Sequence, residues 1–235
     1  MMPPSTELKN LDWAAIAGQM DSEGYAVLPG LLAPEQVHAL AQRIGGDAAL
    51  RHEPLSSLDL GRGDLYVFQS DLPDPLAAWR KAFYEHLAPI ANRWNEALDA
   101  AYRYPALLEE FLQRNREAGQ TRPLSHLSRL GESDYMALHR QSEGEHVFPM
   151  QVVALLAAAG TDFTGGEFVM TEQRPRMQSR PMVLPLQRGD AAVIATAQRP
   201  LKGRKGYYRV NLKHAVSRVR SGQRIGLELS FHDAP

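Results

Sequence analysis

The chain has 235 residues, enough for one well-packed core, and the usual domain size favours a single unit over two. Its 26 Lys and Arg nearly balance its 27 Asp and Glu, so no overall basic field argues for nucleic acid or an anionic membrane, and a small-molecule substrate is expected. With no cysteine, disulfides, thiolate nucleophiles and thiolate metal sites are excluded, and any metal must rest on His, Asp, Glu or amide oxygen.

In chain order, the start "MMPPSTELKNLDW" lacks the basic and apolar regions of a signal peptide. No apolar run nears the roughly 18 residues that span a bilayer, so a soluble, cytoplasmic protein is expected. "GYAVLPGLL" is apolar and bounded by glycine and proline, which reads as a strand or extended segment. Over residues 34–44, Val37, Leu40, Ala41 and Ile44 recur at helical spacing behind an N-terminal proline. "GRGD" at residues 61–64 resembles an adhesion tripeptide but reads as a turn. Trp79, Phe83, Leu87, Ile90, Trp94 and Leu98 form a longer helical stripe, which Pro89 should kink or divide. A further helix is expected over residues 105–116, ending near Ala118 and Gly119.

Beyond Gly119 the texture changes to short β-type runs such as "SDYMALH", "HVFPMQVVALL", "AAVIAT" and "RIGLELSF". Helices gathered ahead of many short strands predict a mainly β sandwich or jelly roll, with the N-terminal helices packed on one sheet. The expected organisation is one domain, in which residues 1–119 are mostly helical support and residues 120–235 are the β core. The stretch "EQRPRMQSRPM" reads as a loop whose arginines either meet an anionic substrate or stay solvated.

His139 ends one strand-like run and His214 lies in another. Two histidines on neighbouring strands can point inward together and share a divalent metal. Each of the eight histidines can equally be a surface or hydrogen-bonded residue. In the last strand, positions 225, 227, 229 and 231 are Ile, Leu, Leu and Phe, whereas 224, 226, 228 and 230 are Arg, Gly, Glu and Ser. Arg224 is either an interior cation able to grip a carboxylate or a surface charge, and the alternation leaves both open.

The ordered set of His139, "DFTGGEFV", "QRGDAAVI", His214 and "SGQR" ending in Arg224 resembles the Fe(II)/2-oxoglutarate-dependent oxygenases, on their prolyl-hydroxylase-like side. The strings "GGEFVMTEQRPRMQSR", "RPLKGRKGYYRVNLKHAVSR" and "FHDA" are similar to those of a bacterial subgroup, and the resemblance spans nearly the whole chain. It implies a double-stranded β-helix, a cupin-like jelly roll. It also implies His139 and His214 as iron ligands, Arg224 with Tyr135 for binding 2-oxoglutarate, and dioxygen as a reactant. The family places its ligating Asp two residues after the first His, where this chain has Gln141. Leu130 stands where the subgroup has a tyrosine, His126 adds an imidazole on an adjacent strand, Glu143 replaces a bulky apolar residue, and Glu228 replaces something small.

Four arrangements of the metal site follow. Gln141 ligates directly; Glu143 or Glu228 supplies the carboxylate; His126 joins His139 and His214 in a three-histidine site for iron, copper or zinc; or the third position is vacant or holds halide. The expected function is a non-haem oxygenase of the 2-oxoglutarate type acting on a small molecule with an atypical metal site. The alternatives are a differently metallated enzyme that does not use 2-oxoglutarate, and a pseudoenzyme binding module. Neither nucleic acid nor membrane is expected as a partner.

Overall fold

The computed structural model describes residues 8–69 and 72–235, so the reading of residues 1–7 as free of signal features lies outside the described residues. Its helices are α1 (Trp13–Glu23), α2 (Pro34–Ala41), α3 (Leu76–Ala97) and α4 (Leu108–Glu117). The early strands are β1 (Tyr25–Leu28), β2 (Leu50–Pro54), β3 (Gly61–Arg62) and β4 (Asp64–Phe68). The later ones are β5 (His126–Leu130), β6 (Tyr135–His139), β7 (Met150–Leu155), β8 (Phe163–Gly165), β9 (Phe168–Gln173), β10 (Arg180–Leu184) and β11 (Ala191–Ala195). They are followed by β12 (Gln198–Gly203), β13 (Gly206–Val216), β14 (Val219–Gly222) and β15 (Arg224–Leu229).

Two strand textures separate two sheets. β7 and β11 are apolar without alternation, and all of their residues are buried, as befits strands covered on both faces. They belong to a seven-stranded antiparallel sheet in the order β1-β11-β7-β15-β5-β4-β2. β9 alternates buried and half-buried residues, so one face meets the core and the other meets solvent. It belongs to a second sheet, β10-β9-β13-β6-β3, onto which β12 pairs through β13, while β8 and β14 form a separate pair. The result is the expected jelly roll, with the large sheet backed by the N-terminal helices.

The expected halves are less separate than the sequence suggests. β1, β2 and β4 come from the first 119 residues yet extend both edges of the large sheet. β2 escapes a pattern search because "LRHEP" has no buried residue, its pairing with β4 being carried by backbone alone. α1 also lacks a strong apolar stripe, but its signals are local: Asp12 accepts from the Ala15 amide at 2.9 Å, and Gly24 closes it in the left-handed region.

α3 runs unbroken through Pro89, contrary to the expected kink or division. Leu76, Trp79, Phe83, Leu87, Ile90 and Trp94 are buried along one face of it, and this packing outweighs the loss of one helical hydrogen bond. The next helix, α4, starts three residues later than expected. "EQRPRMQSRPM" is a loop only between Gln173 and Arg180, because its ends continue β9 and β10. Among the described residues no helix is long and apolar enough to cross a membrane.

Phe148 joins the helices to the sheet. It is fully buried, with ring centroids of Tyr84, Tyr104 and Phe231 at 4.9, 5.1 and 5.3 Å. Phe148→Ala should therefore lower the free energy of unfolding by about 3–5 kcal/mol in a denaturant titration; a loss below about 1 kcal/mol would show that the cluster is not what fastens the layers.

Candidate metal centre

His139 and His214 are brought face to face by strand pairing. They are register partners across β6 and β13, with ring centroids 4.2 Å apart. The Nδ1 of His139 donates to the Ala137 carbonyl at 2.9 Å, which fixes the ring and leaves its Nε2 lone pair free for a cation. Glu228 reaches the same place from β15 in the opposite sheet, with its Oε2 3.7 Å from His214 Nε2. Among the described residues His139, His214 and Glu228 offer ligand atoms that all lie within 4.8 Å of one another.

The alternation of the last strand is now settled. Arg224, Gly226 and Glu228 face the interior, and Arg224 and Glu228 are 3% and 4% exposed. The Nε of Arg224 donates to the Gly166 carbonyl at 2.8 Å. Gly166 has φ +65°, and a Cβ there would lie 3.0 Å from Arg224 Cδ, so "TGG" is required both by backbone and by space. A Cβ on Gly226 would lie 2.7 Å from Arg224 Nη1 and 2.9 Å from Ser128 Oγ. The missing side chain leaves a small polar cradle between a guanidinium and a hydroxyl, suited to a carboxylate.

The other candidates are distributed differently. Gln141 is not in the ligand cluster; its Oε1 accepts from Ser230 Oγ at 3.0 Å. Glu143 lies at the surface, paired with Arg122 at 3.1 Å, its side chain 73% exposed. His126 is buried on β5, donates from Nδ1 to the Leu124 carbonyl at 2.8 Å, and lies 3.9 Å through Nε2 from Glu228 Oε1. Leu130 is fully buried as the register partner of Arg224. Tyr135 is turned outward and is 40% exposed, away from Arg224. A bulge is the reason: His139 pairs with His214 but Met136 pairs with Val216, so β6 holds one extra residue and its inward row shifts.

Reasoning from sequence missed Gln151. It is fully buried on β7, and its Nε2 lies 3.1 Å from Glu228 Oε2 and 3.2 Å from His214 Nε2. Its only signal is a polar residue inside an otherwise apolar run. The cluster opens to a cavity of about 200 Å³ lined by His126, Met136, His139, Gln141, Leu60 and Val67.

Electrostatics follow from burial. Desolvation would raise the Glu228 carboxyl, but His126, His214 and His139 overcome it and hold the carboxyl well below the ordinary range. Burial pulls Arg224 down to about 10, which leaves it charged at neutral pH. Burial, with His214 beside it, lowers His139 to about 4, so the ring is neutral and able to bind metal at pH 7.

This fold and site define the class of the non-haem oxygenases of the 2-oxoglutarate type. A prolyl-4-hydroxylase from Pseudomonas putida superposes with a TM-score of 0.53 at 12% identity, over 95% of this chain and 99% of that one. A prolyl hydroxylase from Trichoplax adhaerens gives 0.56 at 11%, over 97% and 91%. Within that class, residues 63–234 match the model of the Oxygenase-NA family, described as an oxygenase catalysing oxidative methylation of damaged DNA, and the chain belongs to this family. It is also 36% identical over 204 residues to the uncharacterized protein Rv2227 of Mycobacterium tuberculosis, covering 84% of this chain and 87% of that one.

His139 and His232, another buried histidine, are both lowered to about 4 from 6.5, chiefly by burial. As pH falls below 6.5 the unfolded chain takes up protons that the folded chain refuses until about 4, so stability of the metal-free protein should drop across that window. Unfolding titrations at a series of pH values should show this, with a shallower slope for His232→Gln; a flat profile between pH 6.5 and 4 contradicts it.

Proposed function

We propose that the protein is a non-haem iron oxygenase that binds Fe(II) through His139, His214 and Glu228 and takes 2-oxoglutarate as co-substrate. The observation that carries this reading is the buried carboxylate of Glu228 set against two imidazoles, a facial 2-His-1-carboxylate donor set of the kind that suits Fe(II). The residues present fit the groups. A carboxylate surrounded by imidazoles and a buried unpartnered imidazole nitrogen on His126 both call for a cation, and the Arg224–Ser128 cradle calls for an anion. Bound there, iron with 2-oxoglutarate supplies activation of dioxygen for oxidising a substrate.

This chain's own groups bind and orient. Ala137 holds His139 in the tautomer that presents Nε2, Gln151 steadies Glu228, and Arg224 with Ser128 takes the far carboxylate of the co-substrate. Leu58, Leu60, Leu65, Val67 and Met136 line the cavity and limit water at the reacting centre. Gln141 and Glu143 lie outside this donor set, which argues against them as the missing carboxylate or its substitute. A cavity of about 200 Å³ suits a small molecule.

A second reading of the substrate rests on a charge distribution that the near-neutral total conceals. Thirteen of the 26 Lys and Arg lie between positions 174 and 224, against one acid, Asp190. Lys202, Arg204, Lys205, Arg209 and Lys213 are exposed on the β12–β13 hairpin, whose β13 strand of 11 residues leads from a basic tip to His214. Such a ribbon fits a phosphodiester backbone, and the family description names damaged DNA, so a base within a strand is the alternative to a free small molecule.

Anaerobic titration with Fe(II) should show one site per chain. Glu228→Ala should weaken it at least about tenfold while Gln141→Ala leaves it nearly unchanged; the reverse order would return the ligand role to Gln141. With iron bound, Arg224→Ala should abolish dioxygen uptake supported by 2-oxoglutarate, and uptake that persists removes Arg224 from co-substrate binding. For the second reading, fluorescence anisotropy should detect binding of a single-stranded oligonucleotide whose log affinity falls linearly with log salt and weakens in the Lys202→Ala/Arg204→Ala/Lys205→Ala variant. Absence of binding at low salt leaves the small molecule.

A further inference from the structure

We propose that Gln151 is a fourth protein ligand of the metal, binding through its amide oxygen after the terminal amide turns over. The inference rests on the His139–His214–Glu228 reading and adds to it a residue outside the expected motif.

Three observations carry it. Gln151 is fully buried and aimed into the cluster, with its amide nitrogen 3.2 Å from His214 Nε2 and 3.1 Å from Glu228 Oε2. Its Oε1 is buried and has no hydrogen-bond partner among the described residues. Neighbouring donor atoms around a six-coordinate ion with metal–oxygen distances near 2.1 Å lie about 3 Å apart, so the amide head already stands at ligand spacing from two of the three donors.

The hydrogen bonds explain why nitrogen rather than oxygen points inward without a cation. An amide NH₂ can only donate, and it faces the lone pair of His214 Nε2 and the carboxylate of Glu228. A cation shared by those same lone pairs removes both acceptors and sets a positive charge against the N–H dipoles. Rotating the amide by half a turn exchanges nitrogen and oxygen with almost no change of shape, gives the cation another hard oxygen and ends the isolation of Oε1. Gln141, the same residue type two positions after His139, is instead engaged by Ser230. Four protein donors leave two of six positions for everything else that must bind.

Co(II) is the probe, titrated anaerobically into the full chain and followed by calorimetry and by the visible spectrum of the ion. Gln151→Leu should weaken binding at least about tenfold and move the visible bands, and Gln151→Glu, which keeps an oxygen and adds charge, should bind at least about tenfold more tightly than the original. A residue that merely donates a hydrogen bond to Glu228 gives the opposite sign for Gln151→Glu, because two carboxylates then oppose each other; weaker binding in both variants overturns the proposal. So does unchanged binding in both, and if His139→Ala still loses the metal in that case, the proposed donor set survives without Gln151. No cobalt binding by the original chain removes both. Thermal unfolding of the metal-free variants checks that each is folded, and Gln151→Glu keeps the test open should Gln151→Leu fail to fold.

Discussion

A carboxylate inside a barrel must be answered by positive charge or by donors, and Glu228 sets that requirement here. It is 4% exposed, and an ionised carboxylate taken out of water without compensation is among the costliest groups a core can hold. Three imidazoles, one amide and the Arg224 guanidinium are arranged around it, so the interior polar groups form one charge-balanced network rather than separate accidents. Random decay of an inherited site would not place a new buried carboxylate where two metal-competent histidines already meet. The missing Asp at position 141 and the added Glu at position 228 therefore read together: the negative charge has moved from the strand-end loop to the opposite sheet.

This relocation was partly legible in the sequence. The alternation of "RIGLELSF" puts Arg224, Gly226 and Glu228 in one row, but cannot say whether that row faces core or solvent, because both sides of an antiparallel strand can be satisfied by such a pattern. His139 and His214 stood out through their places in a set of motifs. Gln151 did not, because a strand apolar on both faces has no period against which one polar residue appears misplaced. Tyr135 was assigned to the interior by its nearness to His139, and one extra residue in β6 turns it outward; such bulges leave no mark in the periodicity of a five-residue strand.

The helices and the layer order were easier to read, for a physical reason. A stripe from Trp79 to Trp94 must be buried, and a continuous run such as "AAVIA" needs cover on both faces, so helices and large sheet imply each other. The strands of the first half are short and polar, and their place is set by backbone pairing to partners far along the chain, information that no local window contains. The near-equality of total charges concealed a different fact. Charge is segregated along this chain, and a sum over all residues is blind to where the arginines and lysines gather.

β15 holds both Arg224 and Glu228, and it lies in the middle of the large sheet between β5 and β7 while being its last strand in chain order. During synthesis β5 and β7 emerge with facing edges unfilled, so the nascent protein carries a slot the width of one strand until the last strand arrives. The strand that closes the slot also delivers the anion anchor and the carboxylate. Assembly of the barrel and assembly of its chemistry are thus one event, and a chain interrupted before β15 holds two histidines with no carboxylate opposite them.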